Sequence, residues 1–103
     1  MAAPLLHIAV YAHSAHHGPQ ALPMPQAPPL FEEGVPIGLE STQSEAFSDQ
    51  AVFVMVRPDI ACCLAFGPDP VAEAGIHPVD ARERMWYGVF PGHRIAVIEH
   101  LKG

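Results

Sequence analysis

One run near the start, His13–Gly34 (HSAHHGPQALPMPQAPPLFEEG), limits this chain more than any other feature, because it holds five of the twelve prolines. Proline lacks a backbone donor and fixes φ, so the run excludes a helix or a central strand. Its expected form is a long arm or loop, 13–34, of polyproline-like character after the first strand. A structureless loop of this length is uncommon inside a compact domain. The segment is therefore expected either as a disordered excursion or as an arm lying on another surface. Its apolar residues Leu22, Met24, Leu30 and Phe31 favour the arm.

Around this run the chain reads as strands. In Leu5–Ala12, Leu6, Ile8 and Val10 point one way and Leu5, His7, Ala9 and Tyr11 the other. VPIGLE puts Val35, Ile37 and Leu39 on one face, and STQSEAFS reads as a turn leading into an edge strand. AVFVMVR is β-branched and apolar on both faces. RPDI, with Pro58 and Asp59 central, predicts a β-turn joining it in a hairpin to IACCLAF. ERMWYGVF and HRIAVIEH follow, separated by FPGH, which fits a type II turn with Gly92 at φ > 0. An L-Pro-Gly turn twists the wrong way for a tight hairpin, so a wider corner is expected there. Only DPVAEAG has helical signals, with Asp69 as a cap and Pro70 in the first turn. Short strands with turn signals between them define an all-β fold, a small antiparallel β-sandwich or partly open barrel, in a single domain 1–103.

The adjacent Cys62 and Cys63 raise a metal or redox question. On a strand, neighbours face opposite ways. Cys62 goes with Ile60, Leu64 and Phe66 toward the core, and Cys63 with the small Ala61 and Ala65, against which something must pack closely. The thiols diverge, and neither the C-x₂₋₄-C spacing of zinc sites nor the C-x-x-C of redox dithiols is present. Both are expected reduced, unligated and structural.

The other constellations point the same way. His13, His16 and His17 suggest a loose metal cluster, but a solvated polar loop is the favoured reading, and no H-E-x-x-H occurs. Ser41, Ser44 and Ser48 sit in a turn-like stretch with no G-x-S-x-G elbow. His93 and Glu99 share a strand face, whereas His100 points away. Trp86 and Phe90 share one face of their strand, and Met85, Tyr87 and Val89 the other; packing in a core or interface is favoured over a base-stacking platform. No catalytic, cofactor-binding or metal residue is assigned.

Charge narrows the partners. Five basic residues, Arg57, Arg82, Arg84, Arg94 and Lys102, are scattered against eleven acidic ones, for a net charge of −6. This argues against nucleic acid and against an anionic membrane surface. Charged residues make up 16% of the chain, below the roughly 25% of ordinary soluble domains. Part of the surface is therefore expected to be covered by something else, and ERMWYGVF, apolar on both faces, points to a protein–protein interface. The start, MAAPLLHIAVYAH, has no basic region of a signal peptide, and with two cysteines the chain is expected to be a cytoplasmic product or something assembled in the cytoplasm.

From Ala51 to Ile98 the chain reads AVFVMVRPDIACCLAFGPDPVA, a loop, then ERMWYGVFPGHRIAVI. This block resembles small β-sandwich virion proteins of tailed bacteriophages and related gene transfer agents. The shared pieces are Gly67, Pro70 and Ala72 after one strand, then Val89, Pro91, Gly92 and Ile95 to Ile98. The resemblance covers roughly half of the chain; the proline-rich run lies outside it. It implies a non-enzymatic structural component of a viral particle, a capsid decoration or head–tail accessory protein without cofactor. Such a protein binds a major capsid or head–tail protein in many copies of a symmetric assembly, an arrangement compatible with homo-oligomers. Two alternatives of other classes remain: a small His-dependent metal-binding β-barrel protein or enzyme, and a small-molecule binding module.

Overall fold

The computed structural model of the chain describes residues 3–11, 14–17, 20–25 and 30–100. Its regular elements are all strands: β1 Leu5–Tyr11, β2 Ser14–His17, β3 Gln20–Pro25, β4 Phe31–Pro36, β5 Thr42–Gln43, β6 Phe53–Pro58, β7 Cys62–Gly67, β8 Pro78–Val79, β9 Met85–Gly88 and β10 Arg94–Glu99. One antiparallel sheet has the order β4-β1-β6-β9, a second has β5-β10-β7-β8, and β2 pairs with β3 in a two-stranded ribbon. The fold is an all-β sandwich of two four-stranded sheets.

The core follows from strand alternation. Leu6, Ile8 and Val10 of β1 are buried with Val54 and Val56 of β6 and Val35 of β4. Facing them are Cys62 and Leu64 of β7 and Ile95 and Val97 of β10. Burying side chains of this size contributes about 1.5–3 kcal/mol each, so the central strands carry most of the stabilisation. Among the described residues no buried side-chain nitrogen or oxygen lacks a hydrogen-bond partner.

The strand readings hold in outline, with four corrections. First, β6 and β7 do not form a hairpin, since they belong to different sheets. Pro58 closes β6, the Asp59 amide donates to the carbonyl of Leu5, and the Ala61 carbonyl accepts from the amide of His100, just past β10. The chain thus turns over the end of the sandwich, and the two most apolar strands face each other across the core. Second, DPVAEAG forms no helical turn. Asp69 accepts from the Gln43 amide side chain at 2.8 Å, and the segment closes instead with a Glu73–Ile76 turn around Gly75 at φ 87°. Third, β4 ends at Pro36, so Leu39 lies beyond it and is exposed.

The fourth correction concerns the arm. Phe31–Gly34 belongs to the main sheet, where β4 pairs with β1 through Val10↔Phe31 to Leu5↔Pro36. Between these partners, β2 and β3 pair antiparallel, with Ser14↔Pro25 and His17↔Gln20 in register. The part of the run before β4 is thus an insertion at one end of the β1–β4 pair, with β2 and β3 as its described elements. The residues that would make it an apolar arm, Leu22 and Met24, lie outside the described side chains.

The FPGH corner matches its reading. The His93 amide donates to the Phe90 carbonyl at 3.2 Å, and Gly92 has φ 81°. The turn joins β9 of one sheet to β10 of the other.

Candidate interaction surface

Among the described residues, chemically capable side chains gather at several places. The first is the cysteine pair. Cys62 is fully buried in the core. Burial pushes its thiol from an ordinary 9.0 up to about 12. Cys63 is equally buried but on the other side of β7. The Gly75 amide donates to its sulfur at 3.3 Å, and His100 Nδ1 lies 3.4 Å away. At Cys63 the close packing expected of this small-residue face comes from the loop that contains Gly75. Both thiols are free.

The polar residues of the turns are engaged in backbone work. Ser44 is buried; its amide donates to the Ile95 carbonyl and its hydroxyl accepts from the Ile95 amide at 3.0 Å. Ser41 Oγ accepts from the Ala72 amide. Asp59 accepts from the Leu5 amide and, at 2.9 Å, from the His7 ring. The Leu5 amide, then His7, hold its carboxyl below the ordinary 3.8. His93 stacks beside Phe90, whereas His100 meets Cys63, so His93, Glu99 and His100 are not brought together. The side chains of His13, His16 and His17 lie outside the described residues. Among the described residues no group of three or more His, Cys, Asp or Glu is placed to hold a metal.

The second place is the outer face of the β4-β1-β6-β9 sheet. Register puts Ala9, Met55 and Trp86 in one row and Tyr11, Phe53 and Gly88 in the next. The Tyr11 and Trp86 rings are 5.6 Å apart. Trp86 remains 47% exposed, whereas Ala9 beneath the larger side chains is buried and Tyr11, Phe53 and Met55 are half-buried. The margins of this face are polar, with Glu32 along the Ala9 row and His7, Arg57 and Asp59 at one end. An apolar centre with a charged margin is the composition of a protein-binding patch.

The third place is the flank where β9 faces β7. Phe66 on β7 stacks on Tyr87 on β9 with ring centroids 4.8 Å apart. His77 Nε2 meets the Tyr87 hydroxyl at 2.8 Å. Burial, foremost, pushes the Tyr87 phenol above its ordinary range. Beside this trio a cleft of about 230 Å³ is lined by Phe47, Phe66, Gly88, Val89, Phe90 and His93. Phe90 is 68% exposed at its rim. The sequence reading had Trp86 and Phe90 together on one strand face. In the fold Trp86 serves the outer sheet face and Phe90 the cleft, because β9 ends at Gly88. The cleft was not foreseen: its residues come from separate strands and turns, and no local pattern joins Phe66 to Phe90.

A larger groove of about 610 Å³ opens the opposite flank, with Ile8, Val10 and Phe47 at its floor and Phe31, Glu33 and Glu45 around it. The Glu33 carboxylate accepts from the Glu45 amide at 2.9 and 3.0 Å. The acidic side chain thereby ties β4 to the opposite layer. No family model, curated protein or solved structure matches this chain.

Proposed function

We propose that this protein is a non-catalytic structural subunit of a viral particle, a small capsid decoration or head–tail accessory protein. It binds a major capsid or head–tail protein in many symmetric copies, resides in the virion after assembly in the host cytoplasm, and takes neither nucleic acid nor membrane as partner. The observation that carries this reading is the outer face of the β4-β1-β6-β9 sheet. Tyr11, Phe53, Met55 and Trp86 form an apolar patch over two adjacent rows there, half-buried except for the exposed Trp86, around the buried Ala9. The proline-rich insertion at the end of the same sheet supplies a second contact element. The resemblance of Ala51–Ile98 to phage sandwich proteins supplies the viral setting. In a symmetric shell, a weak contact per subunit is multiplied by copy number.

The test is quantitative mass spectrometry of particles purified from cells that carry the gene. The expected result is a fixed ratio to the major shell protein across preparations. Absence from washed particles overturns the reading. A companion variant deletes Gln20–Pro29 but keeps Leu30, whose amide donates to the Val10 carbonyl and closes the β1–β4 pair. Its melting temperature is expected to stay near the parent's while its occupancy on particles falls. A collapsed domain, or unchanged occupancy, contradicts the assigned role of the arm.

A further inference from the structure

We infer that the aromatic cleft between β7 and β9 is the receptor for the proline-rich arm of a second copy of this chain, so that two copies exchange arms. The inference deepens the assembly reading, and rests on it only in treating the arm as an interface element.

Chemistry selects the occupant. Proline-rich segments in polyproline form dock on aromatic-lined grooves, because the ligand is already extended and loses little entropy. This cleft offers Phe66, Phe90 and Val89 as apolar walls and the His93 imidazole as a polar group. The Tyr87 hydroxyl and His77 ring stand next to Phe66. At about 230 Å³ the cleft is smaller than the ~300–1,000 Å³ of whole-ligand pockets, and it suits a few side chains of a passing peptide. The chain carries such a peptide: Pro25-Gln26-Ala27-Pro28 is a P-x-x-P sequence inside QALPMPQAPPLF, which has no charged residue from Gln20 to Phe31.

Charge agrees. Each copy carries a net charge of −6, so two copies repel in general. The cleft lining holds no Asp, Glu, Lys or Arg. A neutral arm on a neutral cleft is a contact on which that repulsion acts least.

Placement agrees as well. The arm leaves the sheet after Tyr11, which stands in register with Phe53, and Phe53 with Gly88. Gly88 lines the cleft. Arm root and cleft therefore lie at the same end of the sandwich, on different strands. Two copies meeting by that end place each arm against the other's cleft, a reciprocal two-fold contact that closes on itself.

The experiment is sedimentation velocity of the full-length protein across a concentration series, with two full-length variants. Phe90→Ser alters an exposed rim residue; Pro25→Ser with Pro28→Ser alters the arm. Melting curves that match the parent's at concentrations where the parent is monomeric confirm that both variants fold. The expected result is a reversible dimer that either variant weakens by on the order of tenfold, the scale of one interface anchor. An equimolar mixture of the two variants should regain a heterodimer, since one intact arm still meets one intact cleft. A protein monomeric at every concentration overturns the inference, as does a dimer indifferent to both variants. A monomer whose arm amides lose exchange protection in Phe90→Ser shows docking of the arm on its own cleft and also overturns it. A monomer that still occupies particles at the fixed ratio overturns the exchange and leaves the assembly reading standing.

Discussion

Replacing each cysteine by serine tests the packing of β7 from both sides. The two thiols are adjacent and equally buried, so exposure alone predicts equal costs. Their surroundings differ. Cys62 lies among Leu64, Val79, Ile95 and the other core residues, and among the described residues no hydrogen bond reaches its sulfur, unlike that of Cys63. A serine hydroxyl there is buried without a partner, which costs about 1–3 kcal/mol. For a domain of this size each kcal/mol moves Tm by roughly 4–8 °C. Cys62→Ser should therefore lower Tm by on the order of 5–20 °C. At Cys63 the Gly75 amide and the His100 ring already face the sulfur. A serine oxygen inherits both, keeping hydrogen bonds worth ~0.5–1.5 kcal/mol each, and the change should cost less than about 1 kcal/mol.

The assay is thermal and denaturant unfolding of Cys62→Ser, Cys63→Ser and Cys62→Ala. Alanine at 62 removes volume without adding a hydroxyl, so it should melt above serine at 62. Equal costs at 62 and 63, or the reverse order, refute the assignment of the two faces. Alanine as harmful as serine shows that lost volume and not the buried hydroxyl sets the cost. The same variants carry a pH signature. The Cys62 thiol rises from 9.0 to about 12 on folding, so its contribution is fully present below pH 9 and is lost as the pH climbs toward 12. Cys62→Ala should show a flatter decline over that window than the parent.

Two further perturbations test local chemistry. Gly92→Val should destabilise by about 1–3 kcal/mol, the cost of a side chain at strained positive φ. A Cβ there meets nothing within 4 Å, so the penalty is purely backbone, and Gly92→Asn should cost clearly less in the same melts. Asp59 has a folded-state carboxyl below its ordinary 3.8, first through the Leu5 amide and then through His7. Its contribution is present above 3.8 and disappears as the pH falls through the lower value. Hydrogen exchange at the Leu5 amide should accelerate in Asp59→Ala at neutral pH; an unchanged rate means the carboxylate does not hold the start of β1.

Most strands and the Pro91-Gly92 turn were legible because each obeys a local rule. Alternation at Leu6, Ile8 and Val10 marks a face, and Pro91-Gly92 marks a turn, without reference to the rest of the chain. The sheet to which a strand belongs obeys no such rule. Pro58 and Asp59 carry the composition of a hairpin turn, yet the donor that Pro58 lacks ends a ladder equally well at the rim of a sandwich. There, Asp59 is free to bind the amide of Leu5. The helical signal at Asp69-Pro70 failed in the same way, since the Gln43 side chain on a distant edge strand claimed the carboxylate.

These errors bear directly on the surface. A β6–β7 hairpin would set Phe66 beside β6 and leave β9 as a separate neighbour. With β6 and β9 in one sheet and β7 in the other, Phe66 instead meets Tyr87 across the open flank. The cleft is thus a product of the crossing between layers: Phe66 lies on the core side of β7, Phe90 just past the end of β9, and Phe47 in the loop after β5. Phe66 and Phe90 stay exposed because no strand continues the sandwich past them. An aromatic flank at the end from which a neutral, proline-rich hairpin departs makes a contact between copies a more economical account of both features than two unrelated exposures.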